Sequence, residues 1–178
     1  MSVLFVAVFS CASWAGEKAP AVPELTLEHK HPSGSFSFRT PEGWKVQPTV
    51  NEGLEAWGGE LGVRFRFKLG EDGLDALHAD CIDDGLAPLA QADPGRRFDY
   101  EYVGGIFADR RVLDTAHSMR YDTAVHGTRD WHQRTLTLVG GGQSMCIIAY
   151  APQAVWKAKK SAAKATLNAV MSSVTFPR

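Results

Sequence analysis

From residue 24 onward, hydrophobic positions recur with two different periods. Leu25 and Leu27, then Phe36 and Phe38, alternate with polar neighbours on either side of the turn residues Pro32, Ser33 and Gly34, which predicts a hairpin of two strands. Pro41-Glu42-Gly43 is a second turn, after which Trp44-Lys45-Val46 begins a third strand and Leu54 to Trp57 a fourth. The clearest strand follows. Val63, Phe65, Phe67 and Leu69 share one face and Arg64, Arg66 and Lys68 the other, so one face is expected to be buried and one wet.

At Leu74 the period lengthens to about three and a half, with Leu74, Leu77, His78, Cys81, Ile82 and Leu89 on one side of a helix. Asp72, Asp75, Asp80, Asp83 and Asp84 take the remainder, the first two near the positive end of the helix dipole, and Pro88 and Pro94 limit its far end. Cys81 then points toward the sheet. Period two returns at Phe98, Tyr100 and Tyr102, continues through strands at Phe107 to Leu113 and Met119 to Val125, and runs past Leu136 and Leu138 to the turn Gly140-Gly141-Gly142. Met145 to Tyr150 is apolar on both faces, which requires cover on both. Pro152 suits a first helical turn, and Val155, Ala158, Ala162, Ala165 or Thr166, Ala169 and Val170 form a stripe on a helix reaching about Met171, with Ser172 to Phe176 closing as a short strand or extended tail. This order describes an α+β domain: a mostly antiparallel β-sheet with a helix packed on each face.

Phe36-Ser37-Phe38 followed by Pro41, Gly43 and Trp44 resembles the N-terminal signature of the PsbP/Mog/DcrB-like superfamily. The chain's end resembles it too, through Ala165, Leu167, Val170, Ser172 or Ser173, and Phe176. The resemblance implies a PsbP/Mog-like sandwich and a binding or accessory role. It transfers no catalytic residue, because these are turn and core positions that diagnose architecture rather than chemistry.

The first fifteen residues, MSVLFVAVFSCASWA, carry no charged side chain and are too short to span a bilayer, and they read as a signal peptide cleaved after Ala15, with the small residues Ser13 and Ala15 at the recognition positions. An overlapping reading makes Val8-Phe9-Ser10-Cys11 a lipobox with Cys11 lipidated. Residues 16–23, GEKAPAVP, form a flexible tether, and 24–178 a single domain. The expected address is a bacterial periplasm or the exterior, with membrane contact only through a lipid anchor. Removal of Cys11 leaves Cys81 and Cys146, either bonded to each other in an oxidising compartment or buried as free thiols.

With 178 residues, 44% of them hydrophobic, the chain suits one core. Nineteen Lys and Arg against 20 Asp and Glu give a formal charge of −1, so no global basic field points to nucleic acid. His29 and His31, on one face of a strand, have chelating spacing, but the neighbouring sequence supplies no further ligand; His126 and His132 flank a turn, and His78 lies on a helix face near Asp80. The acidic run Asp80, Asp83, Asp84 lacks the alternation of a calcium loop, and Gly142-Gln143-Ser144-Met145-Cys146 fails the nucleophile-elbow pattern. No phosphate loop, dinucleotide fingerprint or zinc-protease motif is present, and no cofactor is implied. The remaining candidate is a binding surface made of Arg64, Arg66 and Lys68, with Arg39 on a neighbouring strand and Trp44 and Trp57 beside it. The expected function is a non-enzymatic envelope protein engaging another protein or a small ligand. The alternatives are a metal-binding or hydrolytic protein using His29 and His31, and a structural lipoprotein.

Overall fold

The computed structural model describes residues 23–49, 53–70, 73–81, 99–102, 112–123, 127–158 and 160–177. The expected signal peptide with Cys11, nearly all of the tether, the helix beyond Cys81 with its prolines, Phe98, the Phe107 stretch and His126 lie outside the described residues.

Alternation in the first third produces β1 (Leu27–Lys30), β2 (Ser37–Thr40), β3 (Lys45–Pro48), β4 (Leu54–Gly58) and β5 (Leu61–Leu69). Residues 74–81 form helix α1. There follow β6 (Asp99–Tyr102), β7 (Val112–Thr123), β8 (Gly127–Gly140), β9 (Gln143–Pro152), α2 (Gln153–Ala158) and α3 (Lys160–Ser172). β1 and β2 make a separate antiparallel hairpin, and the other seven strands form one sheet in the order β3-β4-β5-β9-β8-β7-β6, every pairing antiparallel. β8 and β9 turn on Gly141 and Gly142, whose φ angles of 62° and 73° favour glycine.

β9 lies between β5 and β8, and its two apolar faces are covered from opposite sides of the sheet. Met145, Ile147 and Ala149 join Val63, Phe65, Leu136 and Leu138 in the main core, under Leu167, Val170 and Met171 of α3 and under Phe36 and Phe38 of the hairpin. Cys146 and Ile148 point the other way and meet Leu77 and Cys81 of α1. The expected architecture, a mostly antiparallel sheet with a helix on each face, is therefore what these segments build.

Local differences have physical reasons. Val112 to Thr123 is one strand rather than the ends of two, because it pairs without a break along Gly127 to Leu138 of β8. Pro152 ends β9 opposite Trp131 instead of opening the helix, which starts at Gln153 and runs as α2 and α3. Leu69, assigned to the buried face of β5, is 78% exposed because it overhangs the core at the strand's end. Closure by the tail is a single bridge: Ser37 and Thr175 exchange backbone hydrogen bonds of 2.9 and 2.8 Å.

Candidate interaction surface

Cross-strand partners in an antiparallel sheet point to the same side, so the register assigns each candidate to a face. Glu55 pairs with Arg64, Arg64 with Ile148, Arg66 with Cys146 and Lys68 with Ser144, which places the basic row on the α1 side. Trp57 pairs with Gly62, and Gly62 with Tyr150, extending that face by two aromatic side chains. The face expected to be wet is therefore shared with a helix. α1 covers it around Cys146 and Ile148, and His78 Nδ1 lies 2.8 Å from Thr137 Oγ1 on β8.

Two expected members belong elsewhere. Trp44 lies on the opposite face, where its indole fills the space a side chain at Gly58 would need and packs against the main core. Arg39 is on the separate hairpin, on the α3 side, and not on a strand beside β5. The reason in both cases is strand connectivity: proximity in sequence does not decide which sheet, or which face of it, a residue joins.

The row also contains two residues absent from the sequence-based set. Glu55 Oε1 accepts hydrogen bonds from the Tyr150 hydroxyl at 2.6 Å and from Arg64 Nη2 at 3.0 Å, while Gln47 reaches Oε2 at 3.5 Å. Tyr150 can reach across because position 62 is glycine; a Cβ there would collide with its ring. A glycine inside an otherwise regular strand was the available signal. Burial pushes the Glu55 carboxyl upward, but Tyr150, the Arg64 charge and hydrogen bond, and Gln47 outweigh it and hold the carboxyl below its ordinary value of 4.5. Burial first and Glu55 second drive the Tyr150 hydroxyl far above its ordinary value of 10.0, so it remains a proton donor throughout the neutral range.

This network makes a pH-dependent contribution of defined sign. The folded-state carboxyl is the stronger acid, so its stabilisation is present above the unfolded value and lost as pH falls through the folded one. Tyr150→Phe is expected to lower stability at pH 7 by about 1–2 kcal/mol, near the lower end for a hydrogen bond to a charged group. The difference from wild type should shrink on acidification below pH 4.5, the ordinary Glu55 value, as that group protonates. Urea unfolding of both proteins across that range checks this; a pH-independent difference would contradict the charge assignment.

His29 and His31 do share a face, His29 tilted against Phe38 and His31 stacked on Phe36. Each is engaged locally: His29 Nε2 lies 2.9 Å from Thr40 Oγ1 and His31 Nδ1 lies 2.6 Å from Ser33 Oγ. Burial lowers the His29 imidazole below its ordinary 6.5. Among the described residues no cluster of three or more His, Cys, Asp or Glu side chains is placed to hold a metal ion. A second surface feature is an open cleft of about 630 Å³ between the hairpin and the end of α3, lined by Arg39, Glu28, Leu25 and the hydroxyl-bearing residues Ser37, Ser172, Ser173 and Thr175.

No family model and no curated protein matches the sequence. Solved structures do. The Ran-binding protein Mog1p of Saccharomyces cerevisiae aligns over 86% of this chain and 96% of its own at 9% identity with a TM-score of 0.51, and a point variant of Mog1 over 84% and 95% at 10% identity and 0.54. Cyanobacterial PsbP from Synechocystis aligns over 96% and 99% at 13% identity and 0.49. The chain spans about half the length, 48%, of a Bacteroides thetaiotaomicron protein that it matches over 85% of its own residues, at 12% identity and 0.49. The α+β fold is thus the one seen in Mog1.

Proposed function

We propose that this chain is a non-enzymatic binding or accessory protein of the bacterial envelope, which engages an acidic protein surface through the α1 side of its sheet. The observation that carries the reading is the alignment of Arg64, Arg66 and Lys68 with Trp57 on one face, where the described strands supply Glu55 as a partner for Arg64 and leave Lys68 exposed at the end of the row. Basic side chains steer an acidic partner and an aromatic anchors it. The PsbP/Mog-like fold supports a binding role, since yeast Mog1p is itself a Ran-binding protein. The uncharged, apolar N-terminal segment supports export, and a lipid on Cys11 is the route by which the domain would be held at a membrane. An alternative reading places a small anionic ligand in the cleft beside Arg39, whose lining also holds four hydroxyl-bearing residues and the Glu28 carboxylate.

The test is affinity capture from an envelope extract, comparing wild type with the charge-reversed pair Arg66→Glu and Lys68→Glu. Arg64 is left intact because its loss would also unpair Glu55. The expected result is a specific partner whose recovery falls at least about tenfold in the variant and weakens with added salt. Equal recovery by both proteins would overturn this surface.

A further inference from the structure

We propose that β1 pairs edge to edge with β1 of a second copy of this chain, antiparallel about a two-fold axis at His29. The argument starts from the hydrogen-bonding phase of the hairpin. His31 N–H donates to the Phe36 carbonyl at 3.0 Å, which makes His31 and Phe36 a hydrogen-bonded pair and, in steps of two, His29 with Phe38 and Leu27 with Thr40. Glu28 and Lys30 take the alternate positions, so their N–H and C=O groups point away from β2.

The two edges of the hairpin are treated differently. On β2, the outward groups of Ser37 are bonded to Thr175, and Ser173 Oγ lies 2.8 Å from Arg39 N and 3.2 Å from Arg39 O. That edge is closed. On β1, no described residue answers the backbone of Glu28 or Lys30, and Leu27, beside them, is 41% exposed.

Charge then selects the occupant and its register. Three symmetric antiparallel registers match outward backbone groups with outward backbone groups. Centring on Glu28 opposes two glutamates, and centring on Lys30 opposes two lysines. Centring on His29 opposes Glu28 with the partner subunit's Lys30, twice, and like charges directly opposite are disfavoured. Within one chain these side chains manage only a 4.0 Å contact, 76% and 46% exposed, of the kind that contributes little. Across the hairpin Glu28 faces Arg39 whereas Lys30 faces Ser37, so a second copy gives Lys30 a cross-strand carboxylate, brings Glu28 a second cation and offers each outward backbone group a hydrogen bond. Four residues form a small interface, so the dimer belongs to the weak, transient class. The same charges discourage strands that lack the matching pattern.

Sedimentation velocity on the full chain, from micromolar to about 1 mM, tests this. Wild type should show concentration-dependent dimers. Glu28→Lys alone and Lys30→Glu alone each create two like-charge pairs and should weaken association roughly tenfold. An equimolar mixture of these two single variants should restore it as a heterodimer, and the double variant carrying both changes should restore a homodimer. The sites are exposed, so melting curves should be unchanged and unfolding will not mimic the effect. Absence of dimers in wild type, dimers that persist in both single variants, or failure of the mixture to recover association would each overturn the proposal.

Discussion

Replacing Phe65 with alanine is expected to destabilise the fold by about 3–5 kcal/mol, the range for deleting a buried aromatic ring. Phe65 is fully buried and joins two parts of the molecule that share no ladder hydrogen bonds, the seven-stranded sheet and the β1–β2 hairpin. Its ring stacks on Phe38 with centroids 4.1 Å apart and lies 5.9 Å from Phe36. Truncation leaves a void where the hairpin, the sheet and α3 converge, and close packing of the surroundings limits collapse into it. A typical domain is stable by only about 5–15 kcal/mol, so a large share would be lost. Urea unfolding should show a lower midpoint with an unchanged slope, and Phe65→Leu should cost less than half as much. A loss under about 1 kcal/mol for the alanine variant would mean that the hairpin is not held by this aromatic stack.

The second large effect concerns Cys81 and Cys146. Their sulfurs are at bonding distance, both residues are fully buried, and their Cα atoms are 6.6 Å apart, within the span a disulfide bridges. The bond would close 65 residues of chain and contribute roughly 4 kcal/mol by loop-closure entropy. It would also fasten α1, whose cluster on this face contains, among the described residues, Leu77 and Ile148 besides the two cysteines. The double replacement of Cys81 and Cys146 by alanine should therefore lower stability by about 2–5 kcal/mol. Reductant should lower wild-type stability by a similar amount and leave the double variant unaffected. Thiol titration of denatured, unreduced protein supplies the direct check: two reactive thiols at Cys81 and Cys146 would show that the bond does not form.

Much of the architecture was legible because burial leaves a periodic trace. The alternation at Val63, Phe65 and Phe67 identified β5, the lengthened period at Leu74, Leu77 and Cys81 identified α1, and the unbroken apolar run Met145 to Tyr150 identified the central strand with two covered faces. The inward-facing Cys81 and the apolar run around Cys146 even suggested the cross-link. The candidate surface was legible only in part. Alternation placed Arg64, Arg66 and Lys68 together, since their grouping is a property of one strand. Glu55 and Tyr150 are 95 residues apart in sequence, and no local pattern links a glutamate on β4 to a tyrosine on β9.

What the amino-acid sequence determined by itself is what depends on neighbours along the chain: the period of each segment, which residues of one strand share a face, where turns fall, and the apolar character of the first fifteen residues. The tertiary structure alone decided which elements became neighbours in space. It put β5 against β9, removed Arg39 to a separate hairpin, turned Trp44 and Trp57 to opposite faces, and closed one edge of that hairpin with Ser173 and Thr175, while no described residue answers the outward backbone of Glu28 and Lys30. The physical reason is that backbone periodicity is a local consequence of dihedral angles and solvent, whereas strand order and edge exposure emerge from long-range packing of the whole chain.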